Sequence, residues 1–86
     1  MLAGVTLNER VTAIVGRILV ERSIQRQAGP DDNLREVGLT SLDMVNLVLS
    51  IELEFDVQIA ENEITPANFQ SISAISRLLA KTLSQK

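Results

Sequence analysis

Three apolar patterns at helical spacing, each opened by a capping residue, together with a near absence of aromatic side chains, predict an all-α fold. The arrangement expected is a small antiparallel four-helix bundle with three longer helices and one short helix. Apolar residues make up 45% of the chain and aromatic residues only 2%. The core is therefore left to Leu, Ile, Val and Ala, whereas sheets draw heavily on aromatic and β-branched residues. At 86 residues the chain has room for one domain, read as residues 1–86, which buries roughly two-thirds of its unfolded surface.

The first helix begins at Thr6-Leu7-Asn8-Glu9, a capping box in which Thr6 accepts from a first-turn amide and Glu9 reaches back. Leu7, Val11, Ile14 and Ile18 recur at helical spacing, Val15 and Leu19 widen the stripe, and Gln27-Ala28-Gly29-Pro30 is expected to end it. Residues 29–40 read as a long connection without period, anchored by Leu34, Val37 and Leu39, with a turn at Gly38. Thr40 or Ser41 caps the next helix, and Asp43 is the acid expected near its positive end. That helix carries two apolar stripes, Met44/Val48/Ile51/Phe55 and Leu42/Val45/Leu49/Leu53, with Leu47 between them. Simple burial needs only the first stripe, so the second is either packed in a bundle or left exposed for docking. Asp56-Val57-Gln58-Ile59 alternates like a strand but has nothing to pair with and reads as an extended connection. Thr65 followed by Pro66 suggests a short helix of one or two turns, and Ser71 caps a last helix with Ile72, Ile75, Leu79 and Leu83 inward.

Cysteine and histidine are both absent. Disulfides, thiolate catalysis, the Ser-His-Asp and Cys-His mechanisms and the commonest zinc ligands are thereby excluded. The net charge of −3 argues against a generic attraction to nucleic acid, and no apolar run suggests a signal peptide or membrane insertion, so a cytoplasmic monomer is expected. Charge is segregated: residues 31–64 hold nine acids against Arg35 alone, whereas both flanking segments are positive. Asp31, Asp32 and Glu36 lack the spacing of a calcium loop, so no metal site is assigned. An enzyme built on carboxylate pairs would need a pocket and a tuned base that so short a chain does not display.

The segment Gly38-Leu39-Thr40-Ser41-Leu42-Asp43 puts a serine at the exit of a long loop and the start of a helix, where first-turn amides favour an anion. On spacing alone, an ordinary helix cap is the stronger reading of Ser41.

Taken over residues 6–83, nearly the whole chain, and above all in the stretch from Asp32 to Ile59, the sequence resembles the acyl carrier protein family. The likeness rests on the chain length, the acidic middle, the loop Leu34, Gly38 three residues before the serine, Ser41-Leu42-Asp43, the apolar helix ending Glu52-Leu53-Glu54-Phe55, and Ile59. The resemblance implies that Ser41 receives 4′-phosphopantetheine from coenzyme A through a phosphopantetheinyl transferase. It also implies that the thiol of the arm holds acyl or aminoacyl groups as thioesters, with no catalysis by the chain itself. Partners would be that transferase, an acyl- or amino-acid-activating ligase and acyl-transferring enzymes of lipid (fatty acid), polyketide or specialised biosynthesis. Docking would fall on Thr40, Leu42, Asp43, Val45, Leu49, Glu52 and Glu54, with Met44, Val48, Ile51 and Phe55 as core.

Three departures bear on this. Thr40 stands where the family usually has Asp; modification of Ser41 is still expected, by a transferase that accepts Thr40-Ser41-Leu42. Asn46 and Leu53 occupy positions often acidic in fatty-acid carriers, which makes the helix greasier and leads us to expect a specialised partner. The stretch from Ile64 to Ile72 looks closer to small stand-alone carriers charged by dedicated ligases, including those that load amino acids. An unmodified helical adaptor, binding partners through the Leu42/Val45/Leu49 face, explains the apolar helix equally well and does not need Ser41.

Overall fold

A computed structural model describes residues 6–84. Its elements are α1 (Leu7–Glu21), α2 (Leu34–Val37), α3 (Ser41–Phe55), a 3₁₀ turn at Glu61–Glu63 and α4 (Ile72–Ser84), with no strand among the described residues. The all-α bundle expected from the apolar periods is present, with three longer helices and one short one. The short helix is not where the sequence placed it. It is α2, inside the 29–40 connection, whereas Thr65–Phe69 makes a single turn in which the Asn68 amide donates to Thr65 Oγ1 (3.2 Å) and the Phe69 amide to the Thr65 carbonyl (3.2 Å). Phe69 turns into the core and Ser71 starts α4 two residues later, which leaves no length for a second turn.

Thr6 and Glu9 form the expected capping box of α1. The helix stops at Glu21, well before Gly29-Pro30. Ser23 adopts a left-handed conformation (φ 57°), its amide donates to the Val20 carbonyl and the Ile24 amide to the Leu19 carbonyl, a Schellman ending built on a residue other than glycine. Ile24 then packs on the core. Asn33 caps α2 by accepting from the Arg35 and Glu36 amides, and Gly38 ends it at φ 129°, where an added Cβ would also press against Ile24. Ser71 caps α4 through its hydroxyl, which accepts from the Ala74 amide.

The core joins Val11, Ile14, Val15, Ile18 and Leu19 of α1 to Leu47, Val48, Ile51 and Phe55 of α3 and to Ile72, Ile75, Leu78 and Leu79 of α4. α1 packs against both α3 and α4. Two ion pairs fix the antiparallel course of α1 and α3. Arg10, near the start of α1, donates to the Glu54 carboxylate (3.0 Å) and carbonyl (3.3 Å) at the end of α3 and lies 4.2 Å over the Phe55 ring. Arg22, just past the end of α1, meets Asp43 in the first turn of α3. The loop between is closed by Leu34, Val37 and Leu39, all buried, and is tied to the last helix where the Leu34 amide donates to the Gln70 carbonyl and the Ser73 amide to the Pro30 carbonyl (both 2.9 Å). No helix among the described residues is long and apolar enough to cross a membrane.

Substitutions at the two positive-φ turns should move stability in opposite directions. Ser23→Gly relieves a left-handed serine and should stabilise by about 0.5–1 kcal/mol; Gly38→Ala should cost more than about 1 kcal/mol. Urea midpoints check this, and midpoints shifting the same way would contradict the turn assignments.

Candidate functional site at the start of helix α3

The first turn of α3 is organised around one carboxylate. Asp43 is only 3% exposed. Its Oδ2 accepts from the Thr40 amide (2.8 Å), from the Thr40 hydroxyl (3.0 Å) and from the Arg22 guanidinium. The Asp43 amide in turn donates to Thr40 Oγ1 (3.2 Å), completing a capping box. The amide of Thr40 is the largest influence holding the Asp43 carboxyl below its ordinary value of 3.8; burial opposes it, while Arg22 and the Thr40 hydroxyl reinforce it. Asp43 thus faces inward, and its assignment to an acidic docking rim is corrected: the partner that draws it in, Arg22, is supplied by another part of the chain.

Thr40 is the helix cap, and Ser41 is the first residue of α3. The Ser41 side chain is exposed and makes no hydrogen bond within the described residues. The ordinary capping role that spacing favoured for Ser41 is performed by Thr40, which leaves the Ser41 hydroxyl free. Threonine suits position 40 because its hydroxyl both accepts from the Asp43 amide and donates to the Asp43 carboxylate. An aspartate there would only accept, and would place a second negative charge against Asp43.

Ser41 opens onto a groove of about 490 Å³ between α3 and the 64–70 segment, lined by Arg35, Met44, Val48, Ile64 and Phe69 among others. Along the outer side of α3, Leu42 (71% exposed), Val45 and Leu49 (53% each) and Leu53 (85%) form a continuous apolar stripe. The second stripe is therefore the exposed one, and Val48, Ile51 and Phe55 of the first are buried, with Met44 at the margin. Glu52 and Glu54 flank the far end, each also engaged within the chain: Glu52 accepts from the Ile59 amide (2.9 Å) and Glu54 from Arg10. What sequence reasoning missed is Arg22 and Arg35; of the two, only Arg35 carried a signal, as the lone cation of an acidic segment.

Because the Asp43 carboxyl is held low in the folded state, its contribution is fully present above pH 3.8 and is lost as pH falls through the lower folded value. Asp43→Asn should destabilise by about 1–2 kcal/mol at neutral pH. The gap to the unsubstituted protein should narrow as pH drops below 3.8. Urea denaturation of both proteins at pH values above and below that range checks this, and a constant gap would contradict it.

The site asks for a group that needs an accessible hydroxyl at a helix start beside an open groove. The family described as "Phosphopantetheine attachment site" matches residues 9–79. Aminoacyl carrier protein 1 of Bradyrhizobium diazoefficiens is 42% identical over 77 residues, covering 90% of this chain and 86% of that protein. Aminoacyl carrier protein 2 of the same organism is 35% identical over 80 residues, covering 93% and 90%. Among solved structures, a chain in the crystal structure of Bradyrhizobium japonicum glycine:[carrier protein] ligase with its cognate carrier protein and an analogue of glycyl adenylate superposes with a TM-score of 0.81 at 39% identity, covering 87% of this chain and 96% of that one. A chain in the complex of the same ligase with glycylated carrier protein gives 0.79 at 40% identity, covering 84% and 96%. The free Ser41 hydroxyl and the adjoining groove fit the 4′-phosphopantetheine group that this family carries on a serine, and with residues 9–79 matched the chain belongs to the phosphopantetheine attachment site family.

Proposed function

We propose that Ser41 is the attachment point of 4′-phosphopantetheine and that the chain, acting as one carrier unit over residues 1–86, holds aminoacyl groups as thioesters for transfer between partner enzymes. The observation that carries this reading is the exposed, unbonded Ser41 hydroxyl in a first turn whose capping duty Thr40 already performs. The similarity to aminoacyl carrier proteins, and to a chain solved with a glycine:[carrier protein] ligase, supports amino acids as cargo and a ligase of that kind as partner. The arm supplies the thiol that a chain without cysteine lacks.

Ser41 Oγ forms the phosphate ester with the phosphopantetheine half of coenzyme A, and adenosine 3′,5′-bisphosphate leaves. The proton of the hydroxyl goes to a base of the transferase: the nearest carboxylate in sequence, Asp43, is occupied by Thr40 and Arg22, and the chain has no histidine. The protein is thus a substrate and handle, with chemistry left to its partners. Docking falls on Leu42, Val45 and Leu49, with Thr40 at the serine end and Glu52 and Glu54 at the far end. Because those acids also serve internal contacts, partners read the apolar stripe first and the charge second. An unmodified adaptor would use the same stripe but leaves the free Ser41 hydroxyl without a purpose.

Incubation with coenzyme A and a broad-specificity phosphopantetheinyl transferase should add one phosphopantetheine by intact mass, and Ser41→Ala should add none while melting within a few degrees of the unsubstituted protein. Label on the alanine variant would overturn the assignment. Leu49→Glu on the loaded protein should slow aminoacylation by an amino acid:[carrier protein] ligase at least about tenfold, the cost of a disrupted contact of about 1.4 kcal/mol. Its melting temperature should change little; unfolding instead would show Leu49 to be structural.

A further inference from the structure

We infer that Arg35 holds the phosphodiester of the arm, an inference that rests on the reading of Ser41 as the attachment site. Arg35 is the only cation among residues 31–64, a segment with nine acids. Its side chain is exposed and takes part in no ion pair or hydrogen bond among the described residues, in contrast to Arg10, Arg22 and Arg26, which are committed to Glu54, Asp43 and the Glu36 carbonyl. It lines the same groove as Ser41.

The backbone that carries Arg35 is fixed. Its amide donates to Asn33 Oδ1 (2.9 Å), the preceding Leu34 is fully buried, the Leu34 amide donates to the Gln70 carbonyl, and Gly38 turns the chain back toward Thr40. From this fixed backbone the unengaged guanidinium at the groove offers a planar fork, the geometry that matches two oxygens of a phosphate. The phosphodiester formed on Ser41 is a permanent anion beside a carboxylate-rich segment, and Arg35 is the group on the groove with a charge to answer it. The contact lies in water, so it is screened by salt and readily broken. It orients the root of the arm along the groove while the carrier is free and releases it when a partner enzyme draws the thiol away.

The test compares apo and phosphopantetheine-loaded protein, the loading first established by mass. In the loaded protein the Arg35 Nε–Hε resonance should move and become less mobile, returning toward its apo position in high salt. The resonances of Arg17 and Arg77, which are exposed and do not line the groove, should stay in place. Loaded Arg35→Gln, which should melt as the unsubstituted protein does, should shift the phosphorus resonance toward that of a free pantetheine phosphodiester, and Arg35→Lys should restore it in part. A loaded protein in which Arg35 is unmoved, or in which Arg35→Gln leaves the phosphorus resonance unchanged, overturns the inference and leaves the carrier reading standing. Failure to load Ser41 at all removes the phosphodiester, and both readings fall together.

Discussion

The carboxylate of Asp43 does two things that the rest of the site depends on. It closes the capping box with Thr40, so that the first turn of α3 begins at a defined residue, and it receives Arg22 from beyond the end of α1, so that the two helices meet in one register. Arg10 and Glu54 make the corresponding contact at the other end. Between these two pairs lies the apolar seam of Val11, Ile14, Ile18, Leu47, Ile51 and Phe55, which supplies most of the stabilisation, since burial is roughly proportional to apolar area and exposed ion pairs contribute little. The Arg22–Asp43 pair differs from an exposed pair because its acid is buried; removing Arg22 would leave a charge without its partner.

From that arrangement follow both functional features. With Thr40 serving as cap, Ser41 has no structural duty and its hydroxyl stands in solvent. With α3 pinned at both ends, its inner face is consumed by the core and its outer face, Leu42, Val45, Leu49 and Leu53, is presented as a rigid apolar stripe. A carrier has to be handled by several enzymes in turn, and a preformed surface limits the ordering cost of each encounter.

Local signals in the sequence located most of this. The Thr6/Glu9 box, the Ser71 cap and the Gly38 turn are short-range hydrogen-bond patterns that form as their residues suggest, and Thr40 takes the cap of α3 that the sequence left open between Thr40 and Ser41. The helical periods separated the two stripes of α3 but left the second open between burial and exposure, and the structure exposes it. The places where reading failed depend on contacts distant in sequence. α1 ends at Glu21, with its closing turn at Ser23 and not at Gly29, because Ile24 folds back onto the core, a tertiary event that a list of helix breakers does not contain. α2 is a single turn whose two buried residues, Leu34 and Val37, are too few to show a period. The Thr65-Pro66 signal produced a turn and no helix, because Phe69 and Ser71 redirect the chain into α4. Asp43 looked like a rim acid because nothing in its neighbourhood along the chain announces Arg22.

The claim at the centre of this account is that the capping of α3 by Thr40 and Asp43 reserves Ser41 for the arm. The most direct measurement is fragmentation mass spectrometry of the loaded protein, cleaved into peptides and read residue by residue. The account predicts phosphopantetheine on Ser41 and on no other serine, Ser50, Ser73 and Ser76 included. Attachment at any of these, or at Thr40, would contradict it.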